Sequence, residues 1–214
     1  MNIKWLGHAS FLITSEKAIK VLTDPYKSGG FIGYARISES PDIVTVSHQH
    51  SDHNYLDDIK GKPKVVSGAG LHRVGSLEFT GIATYHDKAS GSERGENTIF
   101  CFTMDDVRIC HCGDLGHALD DAAIRSLDKL DVLLIPSGGP PTLDLKDAVA
   151  LIERLQPGIT IPMHFRNSKC KFPKHDIDDL LKLIPGTMKT GKSEVKLTKD
   201  TLPRNQVLIL EPSL

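Results

Sequence analysis

The first half of the chain is punctuated by short apolar runs, many of them β-branched or aromatic and several alternating with polar residues, a pattern that predicts strands. Residues 2–7, 9–14 and 17–23 read as three strands joined by tight turns. A long connection, 24–41, follows and carries Gly29, Gly30, Gly33 and Pro41. Connections of that length in compact domains are often functional. The next strand covers 42–47, centred on Ile43-Val44-Thr45-Val46, and further strands are expected over 64–67 and 77–85. Residues 87–97, with Gly91, Gly95 and several charges, read as a loop. Residues 98–103 and 107–112 pair as a hairpin around Asp105-Asp106.

Helical spacing enters later. Ala122, Ala123, Leu127 and Leu130 place a helix over 119–130, followed by a buried strand at 131–135. Asp144 is an N-cap for a helix running to about Gln156, where Pro157-Gly158 ends it. Another helix spans 176–184, stopped by Pro185-Gly186, and the last strand covers 206–210. Strands dominate early and strand–helix pairs later. No linker, repeat or low-complexity block interrupts the sequence, so one α/β domain over 1–214 is expected, without a dinucleotide fingerprint.

Composition narrows the partners. The 214 residues carry a formal net charge of -1 and a pI near 6.8, which argues against an electrostatic nucleic-acid binder. Lysines gather between Lys182 and Lys199, but Glu194 and Asp200 interrupt them, and the stretch reads as solvated surface. No apolar run approaches the ~18 residues that span a membrane, and the N-terminus lacks the basic and apolar regions of a secretory signal. Cys101, Cys110, Cys112 and Cys170 read as buried thiols. Few cysteines and no signal point to a reducing cytoplasm. The expectation is a cytoplasmic protein acting on a small molecule, with no nucleic-acid or membrane partner.

The chemistry concentrates in Ser47-His48-Gln49-His50-Ser51-Asp52-His53, spaced H-x-H-x-D-H. Imidazole and carboxylate are donors that suit zinc and related divalent metals. His48 and His50 share one side of an extended chain and can share a metal. Asp52 keeps that parity and His53 breaks it. A helix starting near Asp52, as 53–59 suggests, would turn Asp52 and His53 towards a second position. Four donors in one loop exceed what one open catalytic zinc needs, so a binuclear site fits better than a closed structural site, which usually uses thiolates, or a solvated loop. Read alone, His86 reads first as a loop histidine and Asp114 also as a turn residue after Gly113, while His164 follows Ile159-Thr160-Ile161 at a strand end.

Together these segments resemble the metallo-β-lactamase superfamily. The H-x-H-x-D-H run is its signature, and Trp5-Leu6-Gly7-His8-Ala9-Ser10 is similar to the opening of a branch that includes ascorbate-6-phosphate lactonase-like proteins and N-acyl-phosphatidylethanolamine phospholipase D relatives. Leu22-Thr23-Asp24-Pro25, His86, Gly113-Asp114 and Ile161-Pro162-Met163-His164 resemble its later motifs, in order. The resemblance implies a four-layer αβ/βα sandwich with the site at the shared edge of two sheets. It implies that His48, His50 and His86 hold one divalent metal, that Asp52, His53 and His164 hold a second, and that Asp114 bridges them. Zinc is the expected metal, with manganese or iron also compatible.

Two such metals ~3.5–4 Å apart can bridge a water and lower its pKa towards 7. The expected activity is therefore hydrolysis of a small ester, lactone or phosphodiester, with a phosphorylated substrate favoured by the branch. Asp52 is expected to orient the nucleophile, Asp24 to orient a ligand, His8 to face the cleft, and His117 to protonate a leaving group. Arg166 is expected to fork onto a substrate anion, with Lys169 beside it. Other readings of the same fold are a nuclease, a mononuclear-iron oxygenase and a non-catalytic metal-binding module.

Overall fold

The computed structural model describes residues 1–214. Its strands are β1 Asn2–Gly7, β2 Ser10–Thr14, β3 Lys20–Thr23, β4 Ile43–Val46, β5 Lys64–Ser67, β6 Gly70–Val74, β7 Leu77–Tyr85, β8 Glu96–Met104, β9 Val107–His111, β10 Val132–Pro136, β11 Ile159–Met163, β12 Met188–Lys189, β13 Glu194–Lys196 and β14 Gln206–Ile209. The helices are α1 Asp121–Leu127, α2 Leu145–Leu155 and α3 Ile177–Leu181. Two mixed sheets form, ordered β13-β1-β2-β3-β4-β5 and β12-β14-β11-β10-β9-β8-β7-β6. The two sheets pack face to face over a shared core, the sandwich arrangement that the sequence resemblance implies.

Period-two side-chain alternation builds the layers. On β10, Val132 and Leu134 point into the core between the sheets, and Leu133 and Ile135 point to the outer face. On β8, Phe100 and Phe102 face inward and Ile99 and Cys101 outward. The inner core is aromatic-rich, with Trp5, Phe11, Phe79, Phe100 and Phe102 all but fully buried. Leu127 of α1 and Ala148 and Leu151 of α2 cover the outer face of the second sheet. Strand β10, covered on both faces, is accordingly apolar throughout.

The outer face of the first sheet is covered differently. Leu6, Leu12, Leu22 and Val44 lie under Tyr26, Ile32, Tyr34, Ile37 and Cys170, all from loops. The long 24–41 connection is therefore a packed layer. The helix expected after Asp52 does not form. Asn54 turns its side-chain amide back onto the Gln49 carbonyl, and the Tyr55 N–H is taken by the Pro25 carbonyl, so the backbone bonds that a helix would need are spent elsewhere. The helix expected over 119–130 is shorter, because Asp120 caps the Ala123 N–H and starts α1 there. Strand β6 adds pairing where the sequence predicts no element, and β12 and β13 lie in the lysine-rich stretch that reads as solvated surface. No helix is long and apolar enough to cross a membrane.

The parallel relations between strands decide where the chemistry lies. Strands β1, β3 and β4 run in one direction in the first sheet. Strands β7, β9 and β11 share a direction in the second. The residues just beyond these six strand ends are His8, Asp24, Ser47-His48, His86, Cys112-Gly113-Asp114 and His164.

Candidate metal centre

Each candidate ligand sits where the chain leaves a strand and turns sharply. His8, Asp24 and His164 adopt positive φ angles of 53°, 36° and 52°, a region that L-residues enter rarely and that concentrates at functional sites. Gly113 has φ +55° and packs so closely that an added Cβ would lie 2.4 Å from Asn97 Oδ1 and 2.5 Å from Ser47 Cβ. Gly116 brings the chain back against His86, where a Cβ would lie 2.3 Å from the His86 carbonyl carbon. Glycine is required at both places, and between them they fix Asp114. Gly116→Ala is expected to destabilise the fold by about 1–3 kcal/mol, the usual cost of forcing a methyl into a filled site, and to weaken cation binding by moving His86 off Asp114. Denaturant unfolding and a metal-competition titration check both effects.

The candidate donors converge on one carboxylate oxygen. Asp114 Oδ2 lies 3.1 Å from His86 Nε2, 3.2 Å from His53 Nε2, 3.3 Å from His164 Nε2 and 3.9 Å from His48 Nε2. His48 Nε2 faces His50 Nδ1 at 3.0 Å. Asp52 Oδ2 lies 3.9 Å from His53 Nε2. Two separate groups emerge, His48 with His50 and His86, and His8 with Asp52, His53 and His164, and a third, Asp24 with His48 and His53, joins them; the donor atoms of each lie within 4.8 Å of one another. All are buried except His50 and Asp52, which are half-buried and open onto a cleft of about 290 Å³.

Hydrogen bonds behind the cluster set the proton on two rings. Asp24, fully buried, accepts from the Ser47 N–H at 2.8 Å, from Ser47 Oγ at 2.5 Å and from His53 Nδ1 at 2.9 Å. His53 therefore carries its proton on Nδ1 and offers Nε2. Ser47 has one hydroxyl proton and gives it to Asp24, so it can only accept from His48 Nδ1, 3.0 Å away. His48 is thereby also left with a bare Nε2. One carboxylate thus aims two lone pairs, one directly and one through a serine. Asn97 holds the other side, accepting from the Asp114 N–H at 2.9 Å and donating to Thr84 Oγ1 and to the Cys112 carbonyl.

The electrostatics suit cations. Burial, with His53 next to it, pushes His48 down to about 3. Burial, with His164, does the same to His8, and burial with His86 lowers His50. Burial also opposes charge on Asp114, but His164 and His53 outweigh it and hold its pKa well below the carboxylate range. Burial works against a charged His53 as well, yet Asp114 and Asp24 hold its pKa well above the imidazole value. Asp24 and Asp52 are likewise held ionised by imidazoles against the effect of burial. Without a cation the carboxylates draw a second proton onto His53, at Nε2; a cation at that nitrogen would take the proton's place and compensate the same buried negative charge. His53 Nε2 and Asp114 Oδ1 have no hydrogen-bond partner. Bare nitrogens, ionised carboxylates and unpartnered buried atoms fit divalent cations.

The remaining sequence candidates divide. His8 faces the cluster, with Nε2 3.3 Å from Asp52 Oδ2 and its ring against His164, but it is fully buried, so Asp52 lies between it and the cleft. His117 lies outside the cluster, and both its ring nitrogens are engaged by backbone: Nε2 accepts from the Tyr85 N–H and Nδ1 meets the Ala118 carbonyl. Arg166 pairs with Asp176 at 2.9 Å on the surface and does not line the cleft. Lys169 is engaged with the Leu214 carbonyl.

Three residues that sequence reasoning passed over do sit at the site. Asp87 accepts backbone N–H groups of Ala89, Gly91, Glu93 and Arg94 and so shapes the loop beside His86. That loop brings Arg94 to the cleft rim next to His50 and His86. Phe172 lies edge-on to His164 at 5.5 Å.

Residues 2–164 match the β-lactamase superfamily domain. A protein of Archaeoglobus fulgidus named UPF0173 metal-dependent hydrolase is 31% identical over 216 residues, covering 86% of this chain and 90% of that protein. A protein of the same name from Pelotomaculum thermopropionicum is 33% identical, covering 77% and 84%. Among solved structures, a Thermotoga maritima protein described as a candidate Zn-dependent hydrolase of the metallo-β-lactamase superfamily is 31% identical and superposes with a TM-score of 0.81, covering 98% of each chain. On these grounds, and on the strand-end cluster that its own sequence builds, the chain belongs to the metallo-β-lactamase superfamily and, within it, to the UPF0173 metal-dependent hydrolase family.

Proposed function

We propose that this chain hydrolyses a small ester, lactone or phosphodiester with two divalent cations. His48, His50 and His86 would hold one, Asp52, His53 and His164 the other, and Asp114 would touch both. The observation that carries the reading is the convergence of four imidazole nitrogens, at 3.1–3.9 Å, on the single oxygen Asp114 Oδ2. Bound there, a pair of cations supplies Lewis acidity and a water acidic enough to react near neutral pH.

The protein's own part is positioning. Asp24 and Ser47 hold the protons of His53 and His48 on the far nitrogens. Asp52, half-buried at the floor of the cleft, presents a carboxylate to whatever enters. Arg94, exposed and at the rim, supplies the one cationic side chain beside the cleft and suits a substrate with a phosphate or carboxylate. The similarity of Trp5 to Ser10 to the lactonase-like branch supports the phosphorylated lactone or phosphodiester among these substrates. Zinc is the favoured metal.

The test is elemental analysis of the purified protein, followed by assays of lactones, phosphodiesters and thioesters with zinc, manganese and iron. About two cations per chain are expected, and turnover that His48→Ala removes. Full turnover in that variant overturns the reading. Chelation should lower the unfolding midpoint, because cations held a thousandfold above their dissociation constant each stabilise by about 4 kcal/mol. An unchanged melting curve on metal removal and readdition would count against it. Arg94→Ala should raise KM about tenfold or more for phosphorylated substrates, the scale of one charged hydrogen bond, and leave KM for neutral esters unchanged. Steady-state kinetics on matched charged and neutral substrates reads this directly.

A further inference from the structure

The cleft over the cluster continues into a second hollow of about 560 Å³. The two share Ser51, Asp52 and Phe172. Where the first is lined mainly by imidazoles and carboxylates, the second is walled by Phe31, Ile32 and Phe172, with Lys27 at its edge. Phe31 is 83% exposed and Phe172 43%. Water-facing phenyl rings beside a polar cleft mark a binding surface.

The backbone holds Phe31 there. Gly29 and Ile32 exchange two hydrogen bonds, at 2.8 and 3.1 Å, across a tight turn whose tip is Gly30-Phe31. Gly33 donates to the Lys169 carbonyl at 2.7 Å, and Ile32 pairs with Cys170. The turn is thus stitched to the segment that carries Phe172. Both walls of the hollow belong to one unit, and that unit adjoins Asp52 and His164.

We propose that the substrate is amphiphilic, laying its hydrolysable polar group on the His/Asp cluster and an acyl or alkyl arm along Phe31, Ile32 and Phe172. The proposal rests on the hydrolase reading and names its substrate class. Continuity favours a substrate arm over another protein: a ligand reaching the scissile position at Asp52 lies against Phe172 and has the apolar hollow directly beyond it.

Straight-chain alkylphosphonates, which carry an anionic head and do not hydrolyse, test this by calorimetry on the metal-loaded protein. From methyl to octyl, affinity should rise about two- to fourfold per methylene, the gain from burying each group partly or fully. Phe31→Ala should bind methylphosphonate as the wild type does and lose much of the slope, whereas Phe31→Leu should keep it. Methylphosphonate binding with no gain from longer homologues overturns the proposal and leaves the hydrolase reading standing. Failure of every homologue to bind overturns both. Loss of a dimer in Phe31→Ala, with the slope intact, identifies the patch as a contact between copies of the chain and also overturns the proposal.

Discussion

Asp114→Asn should abolish measurable turnover and strip the protein of bound metal. Asparagine matches the shape of aspartate, so the local packing around Asn97 and Gly113 is preserved and the protein should remain folded. The negative charge, however, is gone. The amide presents either a weaker acceptor or a donor to four imidazole nitrogens that now converge on Asp114 Oδ2. Cations bring several kcal/mol of transition-state stabilisation, so a loss of about a thousandfold or more in kcat/KM is expected. Metal content should fall by at least one equivalent, measured by elemental analysis after dialysis against chelator-treated buffer. A variant that kept its metal content and its rate would show that Asp114 only happens to lie among the histidines.

A second large effect is expected from a residue that would touch no cation. In Asp24→Asn, one carboxylate oxygen becomes an NH₂ group. If the nitrogen replaces Oδ1, it faces the Ser47 N–H and leaves that buried donor unsatisfied, at a cost of about 1–3 kcal/mol. The amide is therefore expected to turn its nitrogen towards Ser47 Oγ and His53 Nδ1, which now donate to Oδ2. His53 must then accept at Nδ1 and move its proton to Nε2, where it points at Asp114, 3.2 Å away. Ser47, no longer required to donate to residue 24, is free to donate to His48 Nδ1 and move that ring's proton inward too. Two lone pairs are lost from one substitution. Metal affinity should fall roughly 10–100-fold, as for other groups that orient ligating histidines. Competition with a chromophoric chelator measures the affinity, and nitrogen NMR of the imidazoles reports which nitrogen carries the proton. Unchanged tautomers and affinity would rule out the relay.

The relay shows why part of the site is legible in the amino-acid sequence and part is not. The run from His48 to His53 is local, and four donors in one loop can be recognised with no knowledge of the fold. His86, Asp114 and His164 are lone residues read in isolation, and only their resemblance to ordered motifs joins them to the run. Ser47 looks like an ordinary residue between a strand and a histidine. Its role depends on Asp24 arriving from a neighbouring strand end. Arg94 is invisible for a related reason, since its position is set by Asp87, whose carboxylate gathers four backbone N–H groups from the following loop. Arg166 and His117, by contrast, lie near ligands in sequence, yet each is turned away by a nearer partner.

The fold divides along similar lines. Strands buried on at least one face, such as β4, β7 and β10, carry apolar patterns that sequence can show. Strand β6 is largely exposed, and β12 and β13 are two and three residues long at sheet edges, so no buried face marks them. The missing helix after Asp52 has the same origin as the relay: tertiary partners took the groups that local propensity would have used.

Four of the seven proposed donors follow a strand of one sheet and three follow strands of the other, with a tightly packed aromatic interior between. The catalytic geometry is therefore a gauge of how the two halves are aligned. A slight sliding or tilt of one sheet would leave secondary structure, and much of the stability, untouched, while separating His48 and His53 from His86 and His164. Substitutions at Phe79 or Phe102, far from any reacting atom, would then be felt first as lost turnover.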